Sequence, residues 1–255
     1  MALREKSLFL YGFEVTELNN AIDFRVVALE TPRQATIALG FYSLSGLLRA
    51  IESALKSQAL AFNFTASANR TFVGGTENRV TISTTAPFFE ILFATGPRTT
   101  TDIHALIGFP NTDQTGATTY TGTSTAGTAF SPAWWGNNYL PPDNYQKVFG
   151  SVNVSASGEK ESIVWQVQEF WQVQFKYIEE ADIVPIWKPF FIWAIQQRPL
   201  EFTPEITTPN IFYEGTLEST SADGKGLAFT IREMLPQFPF KFDTGLLKFR
   251  KRFTL

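Results

Sequence analysis

The chain has 255 residues and a formal net charge of −3; 18% of its residues are charged and 15% aromatic, with phenylalanine alone supplying 25. That balance excludes the bulk positive footprint expected of a nucleic-acid-binding protein. The absence of cysteine excludes disulfides, thiolate metal sites and cysteine nucleophiles together. No stretch approaches the roughly 18 consecutive apolar residues of a membrane-spanning helix. The N-terminal MALREKSLFLYGF has too short an apolar patch for a secretory leader, so a soluble product is expected, with no membrane insertion.

In chain order, Ser7–Val15 and Ala21–Val27 read as short strands joined by the turn Glu17–Asn20, and Pro32 ends that pattern. Ala35–Leu39 is a further strand. Ser43 is placed to cap a helix in which Leu44, Leu47, Leu48, Ile51 and Leu55 repeat at helical spacing. Phe62–Ala68 and Arg79–Thr84 follow as strands around a Gly74-Gly75 turn, then the apolar run Phe88–Thr95. Asp102 caps a short predicted helix, Ile103–Ile107, with Gly108 in the position that closes it. Residues 110–132 are rich in Thr, Gly, Ser and Ala, with scarcely a large apolar side chain to bury, so a mobile loop or extended arm is expected there.

After Tyr139-Leu140-Pro141-Pro142 a hairpin is expected, from Phe149–Ala156 through Ser157-Gly158-Glu159 into one very long strand. Within it Ile163, Trp165, Val167, Trp171, Val173, Phe175 and Tyr177 alternate with Gln166, Gln168, Gln172, Gln174 and Lys176. Strict alternation gives one apolar and one polar face. About sixteen such residues span roughly 50 Å, far more than a compact domain needs, which suits a wall or a sheet continued across subunits. Glu169, the one charge on the apolar side, marks an expected bend or bulge. Ile186, Trp187, Phe190, Phe191, Ala194 and Ile195 then form a helical apolar stripe, in which Pro189 marks either a kink or a helix beginning near Ile186. Phe212–Ser219, Gly226–Glu233 and Leu246–Thr254 are the last strands.

Candidate chemistry is sparse. The single histidine, His104, has no clustered carboxylate or cysteine in sequence and reads as a helix-surface side chain rather than a base or ligand. Glu179, Glu180 and Asp182 resemble a hydrolase pair only superficially; at a helix N-terminus they favour the helix dipole. Gly74-Gly75 and Gly224-Lys225-Gly226 lack phosphate-loop spacing. The basic run Lys248–Phe253 reads as a charge-protected edge strand, with contact to passing DNA as the alternative. Trp134, Trp135 and Tyr139 are candidate partner-contact aromatics, anchoring a loop on the protein or a neighbour, with sugar stacking as the alternative. No catalytic residue, cofactor or metal is expected.

The arc GFYSLSGLLRAIESAL, NRVTISTT, FFEILFATG, DIHALIGFP and TGATTYTG resembles a small module of virion structural proteins, through Gly40, Tyr42, Leu47, Arg79–Ser83 and Leu106–Phe109. The half from Trp165 to Phe253 is similar to bacteriophage tail proteins that form rings near the end of the tail tube. The shared features are the long alternating strand, Trp187, Phe190, Phe191 and Trp193 on a helix, Phe202 and Pro204, and the closing strand pair. The resemblance is closest to distal tail proteins and tail-tip or baseplate ring components.

That resemblance implies a mainly β (α+β) fold: an antiparallel β-sandwich or barrel of tail-tube type with one flanking helix, plus a small inserted α+β domain. The expected division is 1–32 with 139–255 as the β domain, 33–132 as the insertion including the arm at 110–132, and 133–138 as linker. The implied function is a structural protein of the virion tail, made in the host cytoplasm. It assembles with itself into a homo-oligomeric ring, a hexamer by family, joins tube, hub or fibres, and touches DNA only in transit. Gln166, Gln168, Gln172, Gln174 and Lys176 are then the candidate lumen or intersubunit face, and the Thr-rich arm a lateral contact. A carbohydrate- or receptor-binding module using Trp134, Trp135 and Tyr139, and a glycan hydrolase using Glu179 or Asp182, stay open as readings from other classes.

Overall fold

The structure is a computed structural model and describes residues 8–70, 78–130, 143–154, 157, 160–203, 212–218, 232–234 and 238–251. It is mostly β, built from several antiparallel sheets with two helical segments, and no closed barrel forms among the described residues. The chain divides into two compact units. One comprises 7–131 and 199–212, the other 1–6, 132–198 and 213–255.

The first unit is centred on helix α1, Leu44–Gln58. The Ser43 hydroxyl accepts a hydrogen bond from Gly46 N, as the capping sequence requires. Leu44, Leu47, Leu48, Ile51, Ala54 and Leu55 are buried, so the i, i+3, i+4 repeat is the core face. Around it pack Phe13, Ile22, Phe24, Phe64, Ile82, Phe89 and Phe93, all part of one apolar cluster. Ala21–Arg25 pairs with Arg33–Thr36 on one side and Glu90–Ile91 on the other. Phe13–Val15 pairs with Gly40–Tyr42, and Leu8–Tyr11 lies between Thr128–Phe130 and Leu200–Thr203. The N-terminal strands and the returning segment 199–212 therefore belong to this unit, although the sequence associates them with the other body.

The Thr/Gly-rich stretch is not a free arm. Thr119–Thr121 is the third strand of a sheet with Phe64–Ala68 and Val80–Thr84. Beyond it Gly122 N donates to Val80 O, Ser124 N to Gly108 O, Ala126 N to Asn78 O and Gly127 N to Leu106 O. Small residues let this backbone run against other backbone. A Cβ on Gly108 would strike the Ser124 carbonyl, and one on Gly127 the Phe13 ring. The one tyrosine of the stretch, Tyr120, is buried, and its hydroxyl donates to Phe89 O at 2.7 Å. Main-chain hydrogen bonds and one aromatic anchor replace the side-chain burial that the composition lacks.

The predicted helix Ile103–Ile107 is instead a compact turn, with Ile107 N bonding Ile103 O. Its ending is as expected: Gly108 adopts φ +74, Gly108 N donates to Ala105 O and Phe109 N to His104 O, which is the pairing of a Schellman closure.

In the second unit Asp143–Val154 and Lys160–Gln174 form the long hairpin. Leu246–Lys251 pairs with the latter strand and with Tyr213–Leu217. The basic run is thus an inner strand, not the expected edge. The hairpin's irregularity also differs in place. Phe149 pairs with Gln166 and Gly150 with Val164, which leaves Trp165 as the extra residue, whereas Glu169 pairs in register with Gln146. The parity of the alternation shifts by one residue at Trp165.

Residues 180–195 follow as one helical segment, with a wide π turn at Ile183–Trp187 leading into Lys188–Ile195. Pro189 lacks the N–H that would close an α turn, and the wider turn absorbs that loss. Trp187, Phe190, Phe191, Trp193 and Ala194 are buried, whereas Ile195 is exposed. Phe175 meets Trp187 edge to face, 5.0 Å between centroids, so the long strand and the helix share a core.

Candidate self-association surface

The hairpin unit builds its polar face from three strands. In antiparallel pairing, directly opposed residues share a face. Trp171 opposes Phe249, and Val173 opposes Leu247. These four are buried, with the Trp171 and Phe249 rings stacked at 4.0 Å and 11°. Gly215 makes the stack possible from the other side, since a Cβ there would meet the Arg250 carbonyl and the Trp171 indole nitrogen.

On the opposite face Gln172 opposes Lys248, and Phe170 opposes Arg250. The glutamine alternation and the C-terminal basic run, separate features of the sequence, are therefore one surface. The sequence held the signal: Leu247 and Phe249 alternate with Lys248 and Arg250 at the same period of two.

Of the predicted face, Gln168, Gln172, Gln174 and Lys176 are half-buried, and the Gln166 side chain lies outside the described residues. The Gln174 amide donates to both Asp243 carboxylate oxygens, at 3.0 and 2.9 Å, so it is committed within its own unit. Phe170 interrupts the polar row. It is buried, with the Lys248 ammonium 4.5 Å from its ring centroid. Arg250 pairs with Glu218, and Lys251 with Glu169 at 2.5 Å. Glu169 therefore works as a cross-strand ion-pair partner, and two cations of the basic strand, Arg250 and Lys251, are paired with carboxylates on its neighbours.

The pairing within the hairpin runs on well beyond its pairing with the third strand. Leu246–Lys251 covers only Phe170–Gln174 of the long strand. Among the described residues, Lys160–Glu169 is bonded on one edge only, and so is Asp143–Val154. From the pair of Gln146 with Glu169 to that of Val154 with Lys160, nine residue pairs, roughly 30 Å, run as a two-stranded ribbon with no third strand bonded to it among the described residues.

The remaining candidates are dispersed. His104 is half-buried, with Nδ1 against the Asp102 carboxylate and its ring 5.9 Å from that of Phe93. Asp102 also accepts from His104 N at 2.9 Å, so the pair opens the turn at 102–108, where Asp102 bridges to Ala21 at the start of its strand. Glu179 pairs with Lys241, while Glu180 and Asp182 occupy the first helical turn. Among the described residues, no group of three His, Asp or Glu side chains is placed to hold a metal ion. Nor is any helix there long and apolar enough to cross a membrane. Trp134, Trp135, Tyr139, Gly74-Gly75 and Gly224-Lys225-Gly226 lie outside the described residues.

Compared with known proteins, the chain matches no family model, and a search of curated proteins found no match.

Proposed function

We propose that the protein is a structural component of a virion tail end, assembling into a ring that joins tail tube to tip or fibres and lines the DNA channel. The observation that carries this reading is the long hairpin, both of whose outer edges are unbonded over nine residue pairs among the described residues. A lone two-stranded ribbon is marginal in water, and its open edges present unpaired backbone groups to another strand. Edge-to-edge addition of the hairpin of one copy to that of the next satisfies both edges and continues the sheet around a ring. In the finer fold of this reading, the sheets of the second unit are the subunit's share of a tail-tube-type barrel. The face of Gln168, Gln172, Gln174, Lys248 and Arg250 is then its lumen. Amides, a carboxylate-paired Arg250 and a Lys248 set against the Phe170 ring give passing phosphates little to hold.

The test is a chain in which Phe149–Gln166 is replaced by an Asn-Gly turn, which keeps the pairs nearest the body and removes the ribbon. Negative-stain images of the unaltered chain should show rings, and the shortened hairpin should give none while its melting temperature holds. An unaltered chain that forms no ring, alone or with tail partners, overturns the reading.

A further inference from the structure

The α1 unit carries exposed aliphatic side chains at two opposite poles. Leu29 sits at one pole and is 96% exposed. It occupies the third position of the turn Val27–Glu30, where φ is +61 and Glu30 N bonds back to Val27 O. That conformation favours glycine or asparagine, and a leucine held in it is strained.

The turn is kept in place by its neighbours. The Glu30 carboxylate accepts from Val26 N and Val27 N and from Arg33 Nε and Nη2. Arg33 Nη1 in turn donates to Gln58 O at the C-terminal end of α1. Val27 and Leu60, both exposed, lie at this same end. Lys56 clasps the Leu60 loop through Phe62 O and Asn63 Oδ1 and has no carboxylate partner among the described residues.

The other pole lies at the opposite ends of the same elements. Leu18 precedes strand Ala21–Arg25, and Leu39 and Phe41 precede α1; all three are exposed. Ile37 N donates to Asn20 O, and Val15 pairs with Gly40, which brings these segments side by side. The fifteen-residue α1 separates the poles by about 22 Å. Glu17, exposed beside Leu18, has no cationic partner among the described residues.

We propose that this unit associates head to tail with a second copy of the chain. The Leu29, Val27 and Leu60 pole of one copy packs against the Leu18, Leu39 and Phe41 pole of the next, and Lys56 faces Glu17 across the contact. The charges favour this arrangement over a two-fold one, which would set Lys56 near its own copy. The clamped turn presents Leu29 already ordered, so little freedom is lost on association. The contact is heterologous and independent of the hairpin.

Sedimentation equilibrium of the full chain tests it, using Leu29→Asn, Lys56→Glu, Glu17→Lys and the Lys56→Glu/Glu17→Lys double variant. Asparagine tolerates the left-handed conformation, so Leu29→Asn folds at least as well, and thermal melting verifies that. Its association should weaken by at least about tenfold. Each charge reversal should weaken association severalfold, and the double variant should recover it. Unchanged association in Leu29→Asn, or no recovery in a double variant whose melting temperature equals that of the wild type, overturns the proposal. So does a chain that stays monomeric up to about 100 μM. Lys56→Gln with Glu17→Gln, which keeps a donor to Phe62 O and Asn63 Oδ1, gives the same reading should the reversal unseat the loop. Rings that depend on the hairpin persist in Leu29→Asn, so the two contacts are read separately by combining it with the shortened hairpin.

Discussion

Asp23 and Arg98 form a two-pronged clasp at the centre of the α1 unit. Asp23 Oδ2 accepts from Arg98 main-chain N at 2.7 Å, and Oδ1 accepts from Arg98 Nε at 2.9 Å. The guanidinium continues to Thr36 Oγ1 and Ala35 O, so one side chain ties the loop after Phe93 to two neighbouring strands. Asp23 is 2% exposed. Arg98→Ala leaves that carboxylate buried without its cation and should cost about 3 kcal/mol or more, measured by urea unfolding. Asp23→Asn/Arg98→Met should recover part of the loss, because the uncompensated charge is gone.

Glu30 predicts a pH dependence. Hydrogen bonds from the Arg33 guanidinium hold its carboxyl below the ordinary value of 4.5, with the Val26 and Val27 amides and the Arg33 charge acting the same way against partial burial. A depressed carboxyl binds its proton more readily in the unfolded chain. Its contribution is therefore full above about pH 4.5 and is lost as pH falls through the lower folded value. Urea midpoints from pH 6 to pH 3 should fall less steeply in Glu30→Gln than in the wild type.

Gly108 and Gly127 predict intolerance of the smallest side chain. Both have positive φ, and a Cβ on either collides, with Ser124 O or with the Phe13 ring. Gly108→Ala and Gly127→Ala should each cost at least about 2 kcal/mol. Gly116→Ala, where nothing lies within 4 Å, should cost about 1 kcal/mol from φ alone. Thermal melts of the three variants separate collision from backbone strain.

Tyr120→Phe should cost about 1–3 kcal/mol, because Phe89 O loses a 2.7 Å donor inside the core. Amide exchange should then quicken along Thr119–Thr121 and hardly change in the Asp143–Val154 hairpin strand.

How much of this was legible in the chain depends on how local its cause is. The Ser43 cap, the α1 stripe and the Gly108 closure all depend on residues within one or two turns of each other, and the sequence carries them. The glutamine alternation was equally plain, but Lys248 and Arg250 share that face only through pairing across some seventy-five residues, a register that no local pattern encodes. The ordering of 119–127 was hidden for another reason. Composition reports the side-chain burial available, whereas this stretch is held by backbone hydrogen bonds that glycine and threonine make as well as any residue. Trp165 as the bulge, rather than Glu169, likewise depends on the partner strand.

The return of residues 199–212 to the α1 unit sets the order in which a chain growing from the ribosome can finish folding. Glu201 is fully buried, accepts from Ser45 N at 2.5 Å and pairs with Arg70, 131 residues earlier. Leu8–Tyr11 likewise waits for Leu200–Thr203 on one edge. Synthesis through residue 131 therefore yields a body with α1 in place, Arg70 unpaired by Glu201 and one strand edge bare. That body stays open until some seventy more residues, including the whole long hairpin, have emerged. A fragment cut at 131 inherits the same open edge permanently. A stable excised unit needs 199–212 rejoined to it, for instance by fusing that segment ahead of Leu8 through a short linker.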